Sequence, residues 1–256
     1  MAKAQPKRVL VTGASRGIGR AIVKLLALKG MRIVATGRDA TALKRVAQLA
    51  PDRITVVVGD IAKGDERDAL VPQAVQELGG LDGLVNCAGV LRYGDVGAIH
   101  EQDLIVTLKV NLMAPLLLAQ AAAPHLRETR GAIVNVASTL GIRPAPGLAA
   151  YSASKAALLS ITRTLAAELA PAVRVNAVAP GVVDTDMPRQ LRLAPGQSKP
   201  GDVKAAVAQQ LEVLRSLHPL GRLGEPKEVA EAVHYCLGAE WLTGAVLPVD
   251  GGLLAV

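Results

Sequence analysis

Short runs of Val, Ile and Leu alternate along this chain with longer segments whose apolar residues recur every three or four positions. The short runs predict strands buried on both faces, and the longer segments predict helices laid over them. Strands are expected near Arg8–Thr12, Arg32–Thr36, Ile54–Val58, Gly83–Asn86, Ala132–Ser138, Arg174–Ala179 and Ala245–Val249. Helices are expected near Gly17–Leu28, Ala40–Ala50, Asp65–Leu78, Glu101–Arg127, Tyr151–Ala170 and Pro226–Leu237. Such alternation builds a parallel sheet covered on both sides. The expected fold class is therefore α/β: a single-domain Rossmann fold over residues 1–256, with a doubly wound seven-stranded parallel sheet. Ligands on such sheets sit beyond the carboxyl ends of the strands.

The stretch from Met187 to Leu220 breaks the rhythm. It carries Pro188, Pro195, Pro200 and Pro219 around a helical pattern from Val203 to Leu217. A long insertion directly after the sixth strand predicts a lid over the site, with a surface excursion as the alternative.

Composition narrows the class. A chain of 256 residues, half of them apolar, is long enough for a well-buried core, and no linker, repeat or low-complexity tract divides it. The run Met1–Arg8 leads straight into a strand, so neither a signal peptide nor a membrane span is expected. Two cysteines, Cys87 and Cys236, fit a reducing compartment, and a cytoplasmic location is expected. The net charge is +7, but Lys and Arg are scattered and aromatics make up only 2%, without a Phe. Base stacking needs aromatic platforms, so no nucleic-acid partner is expected. A positive field does suit a phosphorylated cofactor. Few rings, chiefly Tyr93, Tyr235 and Trp241, remain to shape a pocket.

Chemistry collects at the predicted strand ends. After the first strand the chain reads Thr12-Gly13-Ala14-Ser15-Arg16-Gly17-Ile18-Gly19 and then enters a helix. Glycines allow a pyrophosphate close to the backbone, and the helix start offers free N–H groups. Gly13, Ser15, Arg16, Gly17, Ile18 and Gly19 are thus candidates for binding a dinucleotide, against the plainer reading of a tight turn. The second strand ends Gly37-Arg38-Asp39. An acid at this position would bind the adenosine ribose, whereas an Arg suits a 2′-phosphate. Gly37 takes the acid's place, and Arg38 with Arg16 predicts NADP(H); Asp39 reads as a helix cap. Asp60, followed by Ile61, closes the third strand, placed either to meet an adenine amino group or to cap its own loop. Asn86-Cys87-Ala88-Gly89 closes the fourth; small residues there permit close contact with a ribose.

Tyr151 and Lys155 stand four residues apart on a predicted helix, so they share one face. A cation beside a phenol favours the phenolate and lowers its pKa, which equips the phenol to exchange a proton with a substrate oxygen. Alone this pair is a common pattern. Together with the glycine turn, Asn111, Ser138, Asn176, Pro180-Gly181 and the tail Val249-Asp250-Gly251-Gly252, the chain resembles the short-chain dehydrogenase/reductase family over essentially its whole length. The resemblance extends to members that reduce 3-oxoacyl-carrier-protein, other carbonyl or sugar substrates. Cys87 stands where many members carry a second Asn.

The resemblance implies roles. Ser138 would donate to a substrate carbonyl, Tyr151 would deliver the proton, and Lys155 would tune Tyr151 and hold the nicotinamide ribose. Asn111 would link Lys155 to solvent through a helix irregularity and a water. Pro180, Gly181, the Val183 backbone and Thr185 would orient the carboxamide. The expected activity is an NADP(H)-dependent interconversion of a small-molecule carbonyl and a secondary alcohol. The rivals are an NAD-dependent alcohol dehydrogenase and a non-catalytic dinucleotide-binding regulator. A metal is not called for. A homotetramer (or homodimer) is expected, with Glu101–Arg127, Tyr151–Ala170 and the apolar tail Leu253–Val256 as contact surfaces. Arg92, Arg143, Arg189 and Arg192 are equal candidates to meet an anionic substrate.

Overall fold

The computed structural model describes residues 8–193, 198 and 200–256; Met1–Lys7 and, within the expected lid, Pro195 lie outside these. Strands β1 (Arg8–Val11), β2 (Arg32–Gly37), β3 (Ile54–Val58), β4 (Gly83–Asn86), β5 (Ala132–Val136), β6 (Arg174–Pro180) and β7 (Val246–Val249) form one parallel sheet. Its order is β3-β2-β1-β4-β5-β6-β7. The helices are α1 (Gly17–Leu28), α2 (Ala40–Ala47), α3 (Gly64–Leu78), α4 (Glu101–Leu108), α5 (Ala114–Thr129), α6 (Ala149–Leu169), α7 (Val203–Ser216) and α8 (Pro226–Gly238).

The two-residue period of the strands sorts the core into two layers. Val9, Val11, Ile33, Ala35, Val85, Val134 and Val136 point to one side, where α1, α2 and α8 cover them. Leu10, Val34, Leu84 and Ile133 point to the other, beneath α3, α5 and α6. Leu10 sits level with both Val34 and Leu84, so the register lines these side chains into a continuous apolar ridge. Each fully buried aliphatic side chain of this kind contributes about 1.5–3 kcal/mol by leaving water.

The segment read as one helix from Glu101 to Arg127 is interrupted. Lys109–Met113 forms a π-helical turn between α4 and α5. Pro115, in the first turn of α5, has no N–H to offer the Asn111 carbonyl four residues earlier, so the α-helical ladder cannot run through. By length and composition Glu101–Thr129 could cross a membrane. Here Leu118, Ala119, Ala122 and Leu126 are buried in the layer they share with α3 and the sheet, as in a core helix of a globular fold.

Strand order reverses between β1 and β4, and the connections leaving these two strands diverge to open a crevice. The insertion after β6 is rooted beside it by His218. Its Nε2 accepts from the Val182 N–H at 3.1 Å, which leaves Nδ1 to donate to the Leu214 carbonyl at 2.8 Å. The end of α7 is thereby tied to the loop that follows β6.

Candidate active site

The turn after β1 is shaped by close backbone approach. Gly13 has φ +67, and a Cβ on it would lie 2.6 Å from the Ala88 Cα; one on Gly19 would lie 2.1 Å from the Gly13 carbonyl oxygen. No side chain caps α1, so the N–H groups of its first turn keep their donor capacity, and Arg16, Gly17, Ile18 and Gly19 line the crevice. A side-chain-free cradle at a helix N-terminus, with uncapped donors, fits the pyrophosphate of a dinucleotide. Deeper in the same crevice the buried Thr36 hydroxyl has no hydrogen-bond partner among the described residues.

Gly13, Ser15, Arg38, Asp60, Ile61, Ala88, Gly89, Pro180, Gly181, Val183 and Thr185, all expected to contact the cofactor, line this crevice as well. The Thr185 methyl lies 3.2 Å from where a Gly17 Cβ would be, so the loop after β6 meets the glycine turn across the crevice. Asp39 caps α2, accepting from the Ala42 N–H at 2.9 Å, as its spacing indicated. One Asp60 oxygen caps its own loop through the Ala62 N–H at 3.0 Å, and the other stands 3.8 Å from Arg38 Nη1. Arg16 Nη1 lies 3.9 Å from Asp186. Both arginines remain largely exposed.

Asn86 departs from expectation, because it does not line the crevice. Its side chain turns into the sheet floor, where Nδ2 donates to Asn135 Oδ1 at 2.9 Å. Asn135 in turn donates to Thr162 on α6 at 2.9 Å, so the pair ties strand ends to a helix. Tyr235 and Trp241, expected to help shape a pocket, are 58% and 101% exposed and lie outside the crevice. Asn176 clamps the approach to β7, donating to the Leu242 carbonyl at 2.8 Å and accepting from the Ala245 N–H at 3.1 Å.

Ser138, Tyr151 and Lys155 converge at the other end of the crevice, all buried. Ser138 follows β5; its oxygen accepts from the Leu140 N–H at 3.1 Å, and its hydroxyl also hydrogen-bonds with Tyr151. A Cβ on Gly141 would fall 2.8 Å from the Lys155 carbonyl carbon, so the turn after Ser138 packs directly on α6. Lys155 Nζ donates to the Val136 carbonyl at 2.8 Å and sits 5.8 Å from the Tyr151 ring centroid.

The electrostatics differ from the simple pair. Burial raises the Tyr151 phenol to about 12, opposed by a hydrogen bond with Ser138 and by the positive charge of Arg192; Lys155 is not among the groups that pull it down. Lys155 is itself lowered to about 8 by burial. Burial outweighs the groups that favour the phenolate, so the expected depression of Tyr151 is missing, and the ammonium donates to the Val136 carbonyl. Cys87 also lines this end, and burial holds its thiol protonated with a pKa of about 12.

Asn111 lies in the π-helical turn, as the expected helix irregularity required. Its amide is committed, however. Oδ1 accepts from the Val90 N–H at 2.9 Å, while Nδ2 donates to the Val90 carbonyl at 2.9 Å and to Ser154 Oγ at 3.1 Å. Asn111 thus pins the loop after β4 to α6, and a Cβ on Gly89 would stand 3.6 Å from Asn111 Oδ1 and 3.7 Å from Lys155 Nζ. Met187, Pro188, Gln190 and Arg192 from the insertion also line the crevice.

Comparison with known proteins agrees with this geometry. A family model described as short chain dehydrogenase matches residues 7–195. The chain is 38% identical over 246 residues to carbonyl reductase family member 4 of Danio rerio, covering 95% of this chain and 96% of that protein. It is 37% identical over 246 residues to the human 3-oxoacyl-[acyl-carrier-protein] reductase, with 95% and 96% covered. The ligand-free aldohexose dehydrogenase of Thermoplasma acidophilum superimposes with a TM-score of 0.86 at 29% identity, covering 98% of this chain and 95% of that one.

Proposed function

The chain belongs to the short-chain dehydrogenase family, and on that premise we propose that it interconverts a carbonyl and a secondary alcohol with NADP(H) through Ser138, Tyr151, Lys155 and Asn111. The observation that carries this reading is the convergence of buried Ser138, Tyr151 and Lys155 at one end of a crevice whose other end is an uncapped helix start. The nicotinamide supplies the hydride when bound. Ser138, whose oxygen accepts from Leu140 and whose hydroxyl meets Tyr151, turns its O–H to the substrate oxygen when substrate is bound. Tyr151, protonated at neutral pH, gives its proton to that oxygen as negative charge develops there. Lys155 holds positive charge beside the phenol ring, and Asn111 fixes the loop and helix between which Lys155 lies.

Preference for NADP(H) rests on Gly37 in the place of a ribose-binding acid, and on exposed Arg16 and Arg38 flanking that place. Removing one charge-assisted phosphate contact is worth about 1.5–3 kcal/mol. Arg38→Ala is therefore expected to raise the KM for NADPH roughly tenfold or more and leave that for NADH nearly unchanged. Initial rates of both coenzymes against a carbonyl panel test the whole reading. A clear preference for NADH would overturn the coenzyme assignment, and no reduction of any carbonyl would favour the non-catalytic regulator. A cytoplasmic homotetramer is proposed on the free thiols of Cys87 and Cys236 and on exposed apolar side chains such as Trp241 and Val256. A monomer mass in sedimentation would refute the assembly.

A further inference from the structure

Arg192 is set apart from every other arginine near the site. Arg92 pairs with Asp103 at 3.1 Å, Arg189 with Asp184, and Arg143 donates to the Leu253 and Val256 carbonyls. Arg16 and Arg38 each stand near an Asp. Arg192 lines the crevice at the Tyr151 end, half-buried, and makes no ion pair among the described residues. Burial works against its charge and lowers its pKa, opposed only by the phenols Tyr93 and Tyr151.

Its placement is built rather than incidental. Gln210, on α7, accepts from the Arg192 N–H at 3.0 Å and donates to the Pro188 and Gln190 carbonyls at 2.7 and 2.9 Å. One side chain thus staples the segment 188–192 and fixes the stem of Arg192 beside the reacting end. A half-buried guanidinium without a carboxylate partner is costly to keep, and its fork of donors matches a planar or tetrahedral anion. On the proposed coenzyme reading Arg16 and Arg38 serve the coenzyme's 2′-phosphate, so the anion at this end belongs to the other reactant.

We propose that Arg192 binds an anionic group on the carbonyl substrate, so that the preferred substrates are oxo acids or phosphorylated ketones. This deepens the carbonyl-reductase reading and rests on it. The anion is held by the insertion while the ketone oxygen reaches Ser138 and Tyr151, which makes Arg192 a specificity determinant supplied by the lid.

The test compares matched substrates: 3-oxobutanoate with its methyl ester, and dihydroxyacetone phosphate with dihydroxyacetone. The wild-type enzyme is expected to favour the charged member of at least one pair in kcat/KM by roughly ten- to hundredfold, from one charge-assisted contact. Which pair shows the preference distinguishes carboxylate from phosphate. In Arg192→Met that preference should vanish, with the KM of the charged substrate rising relative to that of the neutral member measured in the same variant; Arg192→Lys should restore part of it. Equal discrimination in wild type and Arg192→Met, or a wild-type preference for the neutral members, would overturn the proposal. Calorimetric binding of 3-hydroxybutanoate and of glycerol 3-phosphate to both proteins separates this failure from failure of the reductase reading. If no carbonyl is reduced, anion binding that is lost in Arg192→Met still supports the site, and binding that is absent or unchanged still refutes it.

Discussion

Tyr151→Phe is expected to lose about a hundred- to ten-thousandfold in turnover, the usual contribution of a positioned general acid. Coenzyme affinity should stay within about twofold, because the ring survives and only the hydroxyl is deleted. The buried phenol, raised to about 12, is protonated throughout the neutral range and is therefore set as a proton donor for reduction. Alcohol oxidation needs the opposite state, so its rate in the wild type should climb with pH over a range where reduction changes little. Ser138 and Arg192, which pull the phenol down, set how early that climb begins. Stopped-flow turnover with NADPH, beside fluorescence titration of the coenzyme, checks both parts. Near-normal turnover in the Phe variant would remove Tyr151 from the chemistry.

Much of this site was visible in the residues because the signals were local. Val, Ile and Leu runs marked all seven strands to within two residues at each end, since a strand buried on both faces can carry little else. The start of α1 at Gly17 followed from the glycine turn, and the Asp39 cap from its place before an apolar repeat. What escaped was set by tertiary contacts. The break at Lys109–Met113 had a local sign in Pro115, but hydrophobic periodicity alone carries straight through it. Asn86 read as a coenzyme contact because it ends a strand; its side-chain direction depends on Asn135, 49 positions away. Spacing put Lys155 and Tyr151 on one helix face, yet the ammonium's partner is the Val136 carbonyl on another element. Arg192 was one of four equivalent arginines until the ion pairs of its neighbours were known.

Lys155→Met is expected to abolish most turnover and at the same time to make the coenzyme-free protein more stable at neutral pH. The ammonium is 3% exposed, and burial lowers its pKa from 10.5 to about 8. Below pH 8 the lysine is charged in both the folded and the unfolded chain, and the fold bears the full cost of burying that charge. Between about 8 and 10.5 the folded form releases its proton while the unfolded chain still holds it. The unfolded state then binds more protons, so wild-type stability rises with pH across that window and levels off above it. The displacement corresponds to about 3 kcal/mol. Met fills a similar volume without charge, but it leaves the Val136 carbonyl without its donor at a cost of about 1 kcal/mol. A net gain of about 2 kcal/mol at pH 7 would raise Tm by about 4–8 °C in a chain of this size. The variant's advantage should shrink as pH climbs from 8 to 10.5, and calorimetric melts of both proteins across that range read it directly. A Met variant less stable than wild type at pH 7, or a constant difference across the window, would show that Lys155 is not a charge held at the fold's expense. The expected pattern would identify a buried ammonium kept against the preference of the fold.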